Sequence, residues 1–243
     1  MTILALSLAA LIGLSLGLLG GGGSTLAVPI LVYVGGMDAK PAIATSLLVV
    51  GTTSFIGAVR HWRHANVELR TAILFGLISM ACSYAGGRLA AHLSDSFQLI
   101  LFAVVMLVVA VSMFRSGTDE RLTTSLPLVG LAAAAVGVLT GIAGVGGGFL
   151  IVPALVLFAG VPMARAVGTS LVVIAMNSAA GFAAYAGRVQ LDWAYTALFT
   201  GLAIAGVLAG SSLARTFSPT VLKRVFATFL IGVAGFILIH AAL

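Results

Sequence analysis

The chain is poor in charge. Of its 243 residues only 7% are Asp, Glu, Lys or Arg, whereas 61% are hydrophobic, and the mean hydropathy is +1.22. A soluble domain covers its surface with roughly 25% charged residues, so this composition excludes one and makes lipid the solvent. The regular two-residue alternation of a membrane β-barrel is missing too. Apolar windows of about 18 or more residues recur instead, each long enough to cross a bilayer as a helix. The single cysteine, Cys82, excludes an internal disulfide framework and reads as a small packing residue.

Acidic residues are scarcer still. All six lie in loops or at the ends of apolar runs, none at a run's centre. Proton- and cation-coupled carriers usually hold an ionisable group within the membrane, and no candidate for one is present. An anion leaving a negative-inside cell gains about 2.3 kcal/mol per charge per 100 mV, so export needs no coupling ion. No nucleophile–base set or metal cluster points to an enzyme. His61 and His64 sit in a basic loop, Arg60-His-Trp-Arg-His64, without nearby acids or thiols, a poor metal site. The net charge of +6 reads as basic loops at the cytoplasmic leaflet and not as nucleic-acid binding. The opening Met-Thr-Ile-Leu has no basic region or cleavage site and reads as an uncleaved first helix.

The apolar runs cover 2–19, 24–36, 41–59, 69–92 and 97–114, and then 126–143, 148–160, 164–186, 192–213 and 221–242. The fold class expected is all-α integral membrane, a single transmembrane domain over 1–243. Repeat 1 is 1–114, a polar linker is 115–125, and repeat 2 is 126–243. Setting 13–58 on 137–182 at a constant offset of 124 gives 18 identities in 46 positions, which reads as duplication. The matches include Gly13/Gly137, Gly17/Gly141, Pro29/Pro153, Thr45/Thr169, Ser46/Ser170, Ser54/Ser178 and Gly57/Gly181.

Two glycine clusters organise these halves: Gly20-Gly21-Gly22-Gly23-Ser24-Thr25, closed by Pro29, and Gly144-Val145-Gly146-Gly147-Gly148, closed by Pro153. Each opens a 13-residue apolar segment, which as a helix reaches only about 20 Å into a core near 30 Å. Such a segment either re-enters or spans with a tilt. Paired short Gly/Pro-broken segments at matching positions of two halves mark a transporter's binding site.

Basic residues weigh the topology. If the first two segments of each half return to the starting side, the halves are inverted and one face holds nine basic residues against three. If each half crosses an even number of times, the split is six to six. The positive-inside tendency favours the inverted arrangement, with both termini outside.

A helix start offers unpaired N–H donors and about half a positive charge, and glycine lets a ligand come close. The substrate-binding candidates are therefore Gly20, Gly22, Gly23, Ser24 and Thr25 with Gly144, Gly146, Gly147 and Gly148. Thr45, Ser46, Thr169 and Ser170 could add donors or serve as helix caps, and Asn177 is an amide well inside a span. Packing is the competing role for any of these glycines. Gly13/Gly17, Gly137/Gly141 and Gly206/Gly210 have G-x-x-x-G spacing and are assigned to packing. Trp62 and Trp193 read as interfacial anchors, and Glu68 and Asp192 as helix-start acids.

The pattern G-x-x-G-x-G-G-G-x-x-x-x-P-x-L from Gly141 to Leu155, followed by Gly168-Thr-Ser-Leu171, resembles the TauE/SafE family of sulfite-exporter-type membrane proteins, also called TSUP. The first half repeats it from Gly17 to Leu31 and at Ala44-Thr-Ser-Leu47, and Arg188 to Trp193 resembles the family's polar turn before a long helix. The resemblance implies outward transport of sulfite, sulfoacetate or a related organosulfonate across a bacterial inner membrane. The departures are Ser24 in place of a glycine and a more basic exit at Ala58–His61. No cofactor is implied. The partners expected are a small-molecule anion and the lipid bilayer, with a homo-oligomer left open.

Overall fold

Each apolar run of the sequence becomes a helix, and the first glycine cluster becomes a break between two of them. The computed structural model describes residues 2–90, 95–115, 126–143, 148–185, 189–214 and 216–242. In the first half α1 is Thr2–Leu19, α2 is Gly22–Pro29, α3 is Ala39–Arg63, α4 is Leu69–Ala90 and α5 is Asp95–Arg115. In the second half α6 is Leu126–Ala143, α7 is Gly148–Leu157, α8 is Met163–Tyr185, α9 is Trp193–Ala214 and α10 is Pro219–Ala242. Among the described residues α3, α4, α8 and α9 are each long and apolar enough to cross a membrane. Large apolar side chains such as Leu11, Phe55, Leu77, Val108, Leu131 and Leu198 remain on the outside, as a lipid-facing surface requires.

The two short helices end in the same unusual way. Pro29 supplies no N–H, and the chain widens into a π-helical segment, Ile30–Val34. The Gly35 amide reaches back to the Ile30 carbonyl at 2.9 Å and the Met37 amide to Leu31 at 3.1 Å. After Pro153, the Ala159 amide bonds the Ala154 carbonyl at 3.4 Å and the Val161 amide bonds Leu155 at 3.0 Å. Both stretches then turn through a left-handed glycine, Gly36 at φ 69° and Gly160 at φ 61°. All of these positions match at an offset of 124.

Glycine contacts give the helix directions. Gly13 abuts Ala203 and Gly17 abuts Val207 so closely that a methyl on either would strike a backbone carbonyl, so α1 runs with α9. Gly206 and Gly210 approach the Ala10 and Leu14 carbonyls in the same way, which is the packing role assigned to that spacing. In the other half Gly130 faces Ile78, Gly137 faces Ser79 and Cys82, and Gly86 faces Val138, so α6 runs with α4. Between α3 and α8 the sense reverses: Gly181 meets Leu47, Gly51 meets Ser178 and Gly57 meets Leu171. Gly57 also meets Val207, and Arg60 donates to Ser212 Oγ at 2.6 Å, so α9 runs with α3.

One end of the bundle therefore gathers the end of α3, the starts of α4 and α8, and the end of α9. It carries Arg60, Arg63, Arg70, Arg165 and, at the start of α10, Arg224; Lys40 lies at the opposite end. Trp62 and Trp193 stand exposed at opposite ends. Because α1 points towards the basic end and α3 starts at the far end, α2 and its π-helical segment carry the chain back. By the same reasoning α7 returns to the basic end, where α8 begins. The stretch from Arg60 to Arg63, read from sequence as a loop, is the last turn of α3; basic side chains favour a helix C-terminus and snorkel out of the apolar layer.

Candidate functional site

The starts of α2 and α7 meet inside the bundle. Gly20 ends α1 in the left-handed region, φ +73°, with its amide on the Leu16 carbonyl at 2.8 Å. Gly21 then lies against the Gly148 carbonyl, and a methyl at Gly148 would fall 2.6 Å from Ser24 Oγ and 3.1 Å from the Gly21 carbonyl. Ile174, at the middle of α8, walls the same contact. Helix α7 is buried all round from Gly148 to Leu155, so this junction is remote from lipid.

The serines among the expected residues have their protons engaged. Ser24 Oγ donates to the Gly21 carbonyl at 2.7 Å, Ser46 Oγ to Ile43 at 2.8 Å, and Ser170 Oγ to Gly20 at 2.6 Å and Val167 at 2.8 Å. Ser170 thereby ties α8 to the turn that precedes α2. Donors for an anion must then come from first-turn amides and from the hydroxyls that have no partner. Thr25 Oγ1 in the first turn of α2 and Thr45 Oγ1 in α3 are two such groups, on residues 6% and 0% exposed. A buried polar atom without a bond costs about 1–3 kcal/mol, so a ligand that satisfies these hydroxyls gains that much over an apolar one.

The expected residues divide into three sets. Gly20, Gly148, Ser24 and Ser170 are brought into contact. Gly23 instead seats α2 on α1, against the Ile12 carbonyl and Ser15, and Gly22 faces the Phe229 ring of α10. Thr169, expected as a donor to the site, accepts the Glu68 amide at 3.0 Å and so fastens the start of α4 to α8. Asn177 lies seven residues beyond Ser170, about 10 Å further along α8, and its Oδ1 is buried without a partner. Gly144, Gly146 and Gly147 lie outside the described residues. Gly21 was missed by the sequence reading because Val145 matches it in the other half; the unbroken run of four glycines was the signal.

A cavity of about 450 Å³ lies elsewhere. It is an apolar, open groove between α3 and α8 lined by Phe55, Val59, Trp62, Val172 and Met176, with nothing to hold an anion. Of the helix-start acids, Asp192 Oδ1 caps α9 by accepting the Tyr195 amide at 3.0 Å, whereas Glu68 pairs with Arg165 at 3.6 Å. His64 Nδ1 bonds its own helix at the Arg60 carbonyl, 2.8 Å away.

Short Gly/Pro-broken helices that meet start to start within a bundle of long apolar helices are a feature of multi-pass membrane transporters. The family model described as "Sulfite exporter TauE/SafE" matches residues 5–237, and the chain belongs to that family. A "Probable membrane transporter protein" of Xylella fastidiosa is 34% identical over 239 residues, covering 94% of this chain and 91% of the relative. A protein of Methanocaldococcus jannaschii with the same description is 30% identical, covering 96% and 95%. One of Bacillus subtilis is 25% identical, covering 94% and 96%. No solved structure matches the chain.

Proposed function

We propose that this transporter carries a small sulfur-containing oxyanion, sulfite or an organosulfonate, outward across a bacterial inner membrane, and that the anion is held between the starts of α2 and α7. The observation that carries the reading is the contact of Gly21 with Gly148, together with a buried, unpartnered Thr25 hydroxyl in the first turn of α2. Each helix start has about half a positive charge. Two such charges about 5 Å apart repel by about 1 kcal/mol at an effective dielectric near 20, and one anion between them turns repulsion into attraction. Glycine at both positions removes the side chains from the two helix starts, so when they part an oxyanion meets backbone amides and needs no buried lysine or arginine.

Two duplicated and inverted halves complete the reading. Its supports are the backbone features matched at offset 124 and the exchanged helix contacts, in which Gly57–Leu171 and Gly181–Leu47 are mates, as are Gly210–Leu14 and Gly86–Val138. Movement of one half against the other then alternates access to the junction. Sulfur as the central atom is taken from the family description, and outward transport from the membrane potential, which alone drives an anion out.

The test is thermal stabilisation of the detergent-purified protein by sulfite, thiosulfate, sulfoacetate, taurine, phosphate, acetate and chloride. A ligand that binds only the native state raises the melting point by mass action. A selective shift with a sulfur anion is expected. A shift with acetate alone would move the reading to a carboxylate carrier, and no shift with any anion would favour an accessory membrane subunit.

A further inference from the structure

We infer that Thr169 and Thr45 are the positioning residues of two alternative latches, one at each end of the bundle, and that Gly168 and its mate Ala44 set which latch is closed at rest. The inference rests on the reading of two inverted halves; it does not depend on the substrate.

At the basic end the latch is closed. The Glu68 amide donates to Thr169 Oγ1 at 3.0 Å, Glu68 pairs with Arg165 at 3.6 Å, and the Asn66 carbonyl packs on Gly168 so closely that a methyl there would overlap it. Together these fasten the start of α4 against the start of α8. The offset of 124 maps Thr169 to Thr45, Glu68 to Asp192, Asn66 to Gln190, Gly168 to Ala44 and Arg165 to Pro41. At the far end none of the corresponding bonds is formed: Thr45 Oγ1 is fully buried and has no partner, and Asp192 makes no ion pair among the described residues.

Two sequence differences make the far latch the weaker one. Ala44 carries the methyl that the Gln190 carbonyl would have to clear, and Pro41 cannot replace the Arg165 guanidinium. A carrier with identical halves would rest equally in both orientations. This one rests with the basic end closed and the far end free to open. In the exchanged state Thr45 Oγ1 accepts the Asp192 amide while Thr169 releases Glu68, so each threonine is satisfied in one orientation and unsatisfied in the other.

Paired spin labels in a Cys82→Ala background, in lipid nanodiscs without substrate, read both ends. Labels at Arg70 and Ala164 report the basic end, and labels at Asp38 and Ala194 the far end. The unmodified latches should give a short, narrow distance at the basic end and a longer, broader one at the far end. Thr169→Val removes one acceptor and should shift the population ratio by about fivefold towards an open basic end, the factor of one net hydrogen bond. Gly168→Ala should shift it further in the same direction. Ala44→Gly deletes one methyl at a modest cost in helix propensity, and it should shift the ratio towards a closed far end. Unchanged distance distributions in both Thr169→Val and Ala44→Gly would overturn the proposal, as would a closed far end in the unmodified protein. Neither result bears on the anion panel, so the two readings fail separately.

Discussion

Replacing Gly21 with alanine adds one methyl group at the junction of α2 and α7. Gly21, at φ −178°, lies outside the left-handed region that favours glycine. The obstacle is the Gly148 carbonyl, which the new methyl would overlap, and a backbone atom cannot swing aside as a side chain can. The helix starts must part by on the order of 1 Å to restore ordinary contact, at about 1–3 kcal/mol for an overpacked interior. Amide-to-anion bonds are useful only near 2.7–3.2 Å, so the same displacement removes one or two of them. Each is worth about 1.5–3 kcal/mol when the acceptor is charged, so anion binding should weaken by about tenfold to a hundredfold or more. Melting curves with and without sulfite measure both effects. Gly22→Ala provides the comparison, because its methyl meets the Phe229 ring, which can rotate. A Gly21→Ala protein that binds sulfite at full strength would refute the site.

Other expectations follow from the same contacts. Thr45→Val removes a buried hydroxyl that has no partner, so the empty protein should melt higher, by about 1–3 kcal/mol of stability; a lower melting point would contradict this. Gly206→Leu should destabilise strongly and lower the yield of folded protein, because the α1 backbone occupies the space at the Ala10 carbonyl. Gly232→Ala, with nothing within 4 Å of the added methyl, should instead raise stability by up to about 1 kcal/mol through helix propensity. Asp192→Ala loses the cap on the Tyr195 amide and should cost about 1 kcal/mol, readable as a lower melting point in detergent.

The sequence made the helices legible because lipid imposes a simple rule: long apolar runs must form helices that satisfy their own backbone. The runs at 69–92, 164–186 and 192–213 lie within a few residues of α4, α8 and α9. Their limits were less legible where charge and helix coexist, as at Arg60 to Arg63. The repeat offset directed attention to matched glycines and for that reason passed over Gly21, whose partner position is a valine. Thr169 could not be interpreted from sequence, since the amide it accepts lies 101 residues away. Thr45 shares its sequence context and yet has no partner. That difference depends on which orientation the bundle adopts, and no local pattern records it.

The most direct test of the account is sulfite efflux from proteoliposomes held at an inside-negative potential, with the unmodified protein and Gly21→Ala reconstituted at equal density. The account predicts efflux that accelerates with the potential and falls at least about tenfold in the variant, in line with the loss of one charge-assisted bond. Equal rates for the two proteins, or no efflux from either while the unmodified protein remains folded, would contradict it.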